Sequence, residues 1–187
     1  NQGLLENTLR VLQAVPELER VLVVSRDPQV LATARDLQAY TLQEGSASNL
    51  NSALVKATQV ALSYAVRSIL VVPADLPLLT VEDVQTLIAR GEPAPVVVIA
   101  PDRHHCGTNA LLVNPLGGLR YAFGRGSLQT HCRQAQSLGF RLEVLNLPRL
   151  AVDLDTPEDL EYLKLQGGFP DVSVVIKNPS RLRDERE

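Results

Sequence analysis

Short runs of consecutive apolar residues alternate along this chain with longer segments whose apolar residues recur every three to four positions. ERVLVVSRD carries Val21 to Val24 without interruption, SILVVPAD and APVVVIA repeat the pattern, and QAYTLQ fits a further short strand. Uninterrupted apolar strands suit a parallel sheet covered on both faces better than an exposed antiparallel edge. The intervening segments read as helices. NQGLLENTLRVLQAV sets Leu4, Leu5, Thr8, Leu9, Leu12 and Val15 along one stripe closed by Pro16, and PQVLATARDLQ places Pro28 in a first turn, where a missing amide costs little. LNSALVKATQVALSYAV follows the polar bend EGSASN, and TVEDVQTLIAR opens with Thr80 as a cap and Asp83 in the reciprocal position of a capping box. The alternation predicts a layered α/β domain with ligands bound beyond the carboxyl ends of its strands.

A chain of 187 residues with 45% apolar content is long enough for one compact domain. Its 18 basic and 21 acidic residues give a formal charge of −3 without a long basic run, which argues against general binding to nucleic acid or to an anionic membrane. A local anion site stays compatible with that charge. The two cysteines, Cys106 and Cys132, make no disulfide framework, and no segment reads as a membrane span or secretory leader. A cytoplasmic location is the expectation.

VVPADLPLLT sets Asp75 at the end of an apolar run between Pro73 and Pro77, whose restricted torsions would hold a carboxylate still. Asp75 reads either as a turn residue or as a ligand-facing group. FGRGS places two glycines around Arg125 ahead of the helical LQTHCRQAQSLG, as a solvent turn or as a cradle of backbone amides for an anion. If AVDLD in AVDLDTPEDL enters on a strand, Asp153 and Asp155 project to one face, and Thr156, Pro157 and Asp159 suit the start of a helix. Those two aspartates are caps, or together with Asp75 they form an oxygen-rich Mg2+ site that would neutralise a triphosphate. His104 and His105 suit anion contact or water, His131 suits a helix surface, and Lys56 points to solvent.

PADLPLL at 73–79, GTNALL at 107–112, FGRGS and DLDTPEDL at 153–160 together resemble the guanylyltransferases of coenzyme F420 biosynthesis. The resemblance implies a three-layer nucleotidyltransferase fold, GT-A-like and Rossmann-like, with a mostly parallel mixed sheet. It implies GTP as donor and phosphoenolpyruvate or 2-phospho-L-lactate as acceptor, with Mg2+ held by Asp75, Asp153 and Asp155. Thr108, Gly124 and Ser127 match positions that contact the phosphorylated acid, Leu50 and Asn51 match a segment near the guanine nucleotide, and Arg125 is either a phosphate helper or a surface residue. Such a reaction needs no protein nucleophile, because a phosphate oxygen of the acceptor attacks the α-phosphorus of GTP and pyrophosphate leaves. Phosphoenolpyruvate is the preferred acceptor on this resemblance.

The sequence departs from the family pattern in two places. The family's proline- and lysine-containing phosphate loop has no counterpart, and the expectation is that it precedes Asn1 in the full protein. Asn49 stands where the family has glycine. The nucleotidyltransferase domain is assigned to residues 1–166 and a tail to 167–187, whose VSVVI piece suits an edge strand or an interface, leaving room for a homodimer. Two other readings compete: a cofactor or sugar-phosphate nucleotidyltransferase with the same aspartates, and a noncatalytic nucleotide-sensing or protein-interaction domain.

Overall fold

The computed structural model of the chain describes residues 2–45 and 49–151. Their elements are α1 (Gln2–Gln13), β1 (Leu22–Ser25), α2 (Pro28–Asp36), β2 (Tyr40–Gln43), α3 (Leu50–Ser63), β3 (Ile69–Val71), α4 (Val81–Arg90), β4 (Val96–Pro101), β5 (Thr108–Asn114), α5 (Ser127–Ser137) and β6 (Arg141–Val144). A mixed sheet in the order β3-β5-β4-β6 forms the centre, and β1 pairs in parallel with β2. β3, β4 and β6 share one direction, and β5 runs against them between β3 and β4.

Every residue of β4 is buried, and the packing shows why its sequence is apolar without interruption. Val96, Val98 and Ala100 join Leu76, Leu79, Val84 and Leu87 on the α4 side, with Val15 after α1. Val97 and Ile99 join Ala135 of α5 on the other side, against Leu128, Phe140 and Leu142. β5 divides in the same way, Ala110 and Leu112 to the first core and Leu111 and Val113 to the second. Helices therefore cover both sheet faces, which is the three-layer arrangement expected, and residues 96–100 of β4 are closed off from water. A third cluster, Leu5, Leu9, Ala34 and Ala39, packs α1 and α2 with Val21 and Val23.

Caps account for several helix starts. Asp27 accepts from the Gln29 amide with Pro28 at the first helical position. Thr80 and Asp83 form the reciprocal box expected for α4. Asn49, the departure noted above, caps α3 in a box with Ser52, a role glycine cannot fill with a side chain.

Two expectations need correction, and one strand carries no signal in the sequence. β1 is half-buried along its length, with the parallel β2 beside it, and is not sealed on both faces. β3 stops at Val71, and Asp75 follows in a turn instead of ending the strand, because Pro73 brings no amide to the ladder. β6 was not foreseen: Arg141 and Glu143 alternate with Leu142 and Val144, so it lacks the continuous apolar signature of its parallel partner β4.

Gly91 closes α4 with an ordinary φ of −71°, so crowding and not torsion selects glycine there. A Cβ would stand 2.8 Å from a Leu112 methyl and 3.0 Å from the Ile88 carbonyl. Gly91→Ala should cost about 1–3 kcal/mol in urea denaturation; an unchanged midpoint would mean that Leu112 yields without penalty.

Candidate active site

The carboxyl ends of β3, β4 and β6 and the start of β5 lie at one edge of the sheet. There the β4–β5 ladder slips: Ala100 pairs with Ala110 but Pro101 pairs with Thr108, so Asn109 is an extra residue on β5. A bulge of this kind reverses the side-chain alternation beyond it. Thr108 consequently turns to the α5 face, where its hydroxyl lies 3.1 Å from His131 Nδ1. Asn109 turns to the opposite face and donates to the Leu150 carbonyl at 2.8 Å.

His131 is fully buried, which corrects its expected place on a helix surface. It lies one turn after Ser127 and one before Ala135 on the buried stripe of α5. The Ala122 amide donates to its Nε2 at 3.0 Å, and the Phe123 ring packs edge-on with centroids 5.2 Å apart. Burial lowers the His131 pKa from its ordinary 6.5 to about 4, so the ring is neutral at physiological pH. The strand-to-helix segment that bears Ala122 is tied to α3 on both sides. Asn51 receives the Phe123 amide at 2.7 Å and donates to the Phe123 carbonyl at 3.1 Å, and the Thr58 and Tyr121 hydroxyls meet at 2.7 Å.

Ser127, 1% exposed, buries a hydroxyl that has no hydrogen-bond partner among the described residues. A buried hydroxyl left so is costly unless something else occupies its donor or acceptor. Gly124 and Gly126 both adopt positive φ, 125° and 75°, with open space where a Cβ would stand, so torsion selects these glycines. The amides of Ser127 and Leu128 are already taken by the carbonyls of Gly124 and Cys106. With those two amides engaged, the Ser127 hydroxyl is left as a buried polar group of this turn without a partner among the described residues.

The segment leading toward Asp153 is held at three points. Besides Asn109 on Leu150, the Arg103 amide donates to the Ala151 carbonyl at 2.8 Å. Arg149 grips the buried Asp83 through two hydrogen bonds of 2.8 and 2.9 Å, and Asp83 also caps α4 with Thr80. Asp153 and Asp155 lie outside the described residues, as does the tail. Asp75 is described: it sits in the turn beyond β3, and its Oδ1 is shut off from solvent. A hard carboxylate oxygen there fits a Mg2+ ligand, while among the described residues no three acidic, histidine or cysteine side chains group to hold a metal.

Thr108 is therefore tied by the bulge to His131, which lies one helical turn from Ser127 on the same face of α5, and Asn51 reaches from α3 to the loop that holds the ring. Leu50, Lys56, Gly124, Arg125, His104 and His105 are exposed; His105 and Arg103 line a cleft with Asp102, Leu147, Pro148 and Ala151. No helix among the described residues is long and apolar enough to cross a membrane. Sequence reasoning missed His131, Asn109 and the Asp83–Arg149 pair. The four-residue spacing of Ser127 and His131 was the available signal for the first.

Two stability predictions follow from these buried groups. The unfolded imidazole of residue 131 takes up a proton near 6.5, whereas the folded one resists until about 4. The unfolded chain binds more protons in that window, so stability falls as pH drops through it, by on the order of 3 kcal/mol at the lower end. Thermal melts of wild type and His131→Asn across the window should diverge from each other, with parallel curves counting against a neutral buried imidazole. In urea denaturation, Arg149→Met should cost about 3 kcal/mol or more by stranding a buried carboxylate, while Asp83→Asn strands only a half-exposed guanidinium and should cost less. The reverse order would show that the Thr80 contacts suffice for Asp83.

Residues 1–171 match the family Guanylyl transferase CofC like. The phosphoenolpyruvate guanylyltransferase of Rubrobacter xylanophilus is 46% identical over 152 residues, covering 81% of this chain and 73% of that protein. That of Sphaerobacter thermophilus is 39% identical over 161 residues, covering 86% and 77%. Among solved structures, a nucleotidyl transferase from Methanothermobacter superposes with a TM-score of 0.64 at 16% identity, over 88% of this chain and 79% of that one. A cytidylyltransferase from Leptospira borgpetersenii superposes at 0.60 and 13% identity, over 89% and 77%. These likenesses place the fold among nucleotidyltransferases, and the family match with the two close relatives establishes that the chain belongs to the CofC-like guanylyl transferases.

Proposed function

We propose that this protein is a cytoplasmic enzyme that transfers GMP from GTP to phosphoenolpyruvate and releases pyrophosphate, the step that its resemblance to the F420 guanylyltransferases implies. The observation that carries the reading is the buried Ser127 hydroxyl, without a partner among the described residues, one helical turn from the histidine that holds Thr108. A phosphorylated acid is rich in anionic oxygens, and hydroxyl donors shielded from water bind such oxygens more strongly than exposed ones. The names of the two close relatives support the same acceptor.

In this reading Thr108 and Ser127 orient the acceptor so that one phosphate oxygen attacks the α-phosphorus of GTP as the bond to pyrophosphate breaks. The acceptor is already an anion, so no side chain has to remove a proton; alignment and relief of charge repulsion carry the catalysis. Gly124 would let the main chain approach the acceptor, and Leu50 and Asn51 at the start of α3 would border the guanine nucleotide, Asn51 with its side chain already bonded to the Phe123 backbone. Asp75, with Asp153 and Asp155, would hold Mg2+, which when bound supplies positive charge against the triphosphate. Arg125, exposed at the rim, is available to the same phosphates.

Pyrophosphate release by the full-length protein, with GTP and equal concentrations of phosphoenolpyruvate and 2-phospho-L-lactate, tests the assignment when products are separated by mass. The dehydro product should dominate. An excess of the lactyl product would move the acceptor to 2-phospho-L-lactate, and no GMP-bearing product from either acid would reject the function. Ser127→Ala should raise the acceptor KM about tenfold with GTP saturation little changed; equal rises for both substrates would remove Ser127 from the acceptor site. Asp75→Asn should abolish most magnesium-dependent turnover while retaining the wild-type circular dichroism, and near-normal turnover at limiting magnesium would exclude it as a ligand.

A further inference from the structure

We propose that His131 is a positioning residue for the acceptor, fixing the Thr108 hydroxyl as a hydrogen-bond donor. The inference rests on the reading that Thr108 contacts the phosphorylated acid. A backbone N–H can only donate, so the 3.0 Å contact from Ala122 makes Nε2 an acceptor with no proton of its own. A neutral imidazole must then carry its proton on Nδ1, the atom 3.1 Å from Thr108 Oγ1. Nδ1–H donates to Thr108, fills one lone pair of the hydroxyl, and leaves the hydroxyl hydrogen for another acceptor.

A threonine without such a neighbour rotates its hydroxyl and offers an anion a lone pair as readily as a proton. With His131 in place the lone-pair side faces the imidazole, and the site is arranged for an anionic oxygen before one arrives. The ring has little freedom to undo this arrangement: it is fully buried and packed against Phe123. Its Nε2 partner belongs to a segment that Asn51 and Thr58 fasten to α3. Protonation would put two N–H groups face to face at Ala122, and burial already opposes it. Direction is therefore supplied by a neutral residue, with no added charge in the pocket.

Two replacements separate the halves of the imidazole. His131→Asn keeps a donor near the Nδ1 position and loses the Ala122 contact, whereas His131→Gln keeps an acceptor near the Nε2 position and loses the Thr108 contact. Steady-state pyrophosphate release should show H131Q raising the phosphoenolpyruvate KM at least fivefold with the GTP KM unchanged, and H131N recovering most of that loss. In a Thr108→Val background, H131Q should add almost nothing. Equal losses in H131N and H131Q, a loss shared by both substrates, or full additivity with T108V would overturn the assignment and leave His131 a packing residue. The 15N shifts of the wild-type ring report the tautomer without any substitution, and a proton on Nε2 would also overturn it. Wild-type enzyme that forms no product from either acid would defeat the functional reading and this inference with it; active wild type beside an unaltered H131Q defeats this inference alone.

Discussion

The extra residue at Asn109 governs how the chemistry of this molecule is directed. β4 and β5 are sealed by helices on both faces, so neither strand can present a polar side chain to a ligand along its length. Polar function is confined to the edge where the strands end. At that edge a regular ladder would keep Thr108 on the face shared by Ala110 and Leu112, toward α4. The slip between Ala100 and Pro101 turns it instead toward α5, and the next residue is free to strap the segment at Leu150 from the other side. One irregularity thus serves both halves of the site.

Burial then decides how the polar groups work. Asn109, Thr108 and His131 lie in surroundings where an unmet hydrogen bond is expensive, and each meets a partner. The chain made by Asn51, Phe123, Ala122, His131 and Thr108 runs without interruption from α3 to the start of β5. Asp83 is handled differently, because its charge is held by a bidentate guanidinium that remains half in solvent. That geometry avoids desolvating both ions while still anchoring the turn at residues 148–150.

Much of this was legible in the residues. Apolar runs, helical stripes and the Thr80–Asp83 box announced the layers, because each is set by a period or a cap only a few residues long. The motifs around Asp75, Thr108, Gly124 and Ser127 named the chemistry. β6 stayed hidden because its Arg141 and Glu143 break the apolar run, although it pairs in parallel with the central β4. His131 was misread for a related reason. A polar residue on a polar helix looks solvent-facing, and only the loop that folds over it from Tyr121 to Phe123 takes it out of water.

The sequence by itself determined the α/β class and the starts of α2 and α4, since these follow from local periodicity and side-chain type. Only the tertiary structure decided that Thr108 faces α5, that Asn51 spends its amide on the Phe123 backbone and that Arg149 reaches Asp83. Those outcomes depend on a register slip and on contacts between residues more than twenty positions apart in the chain. No local pattern encodes such contacts, because their energy exists only once the sheet and its two helical layers have closed around them.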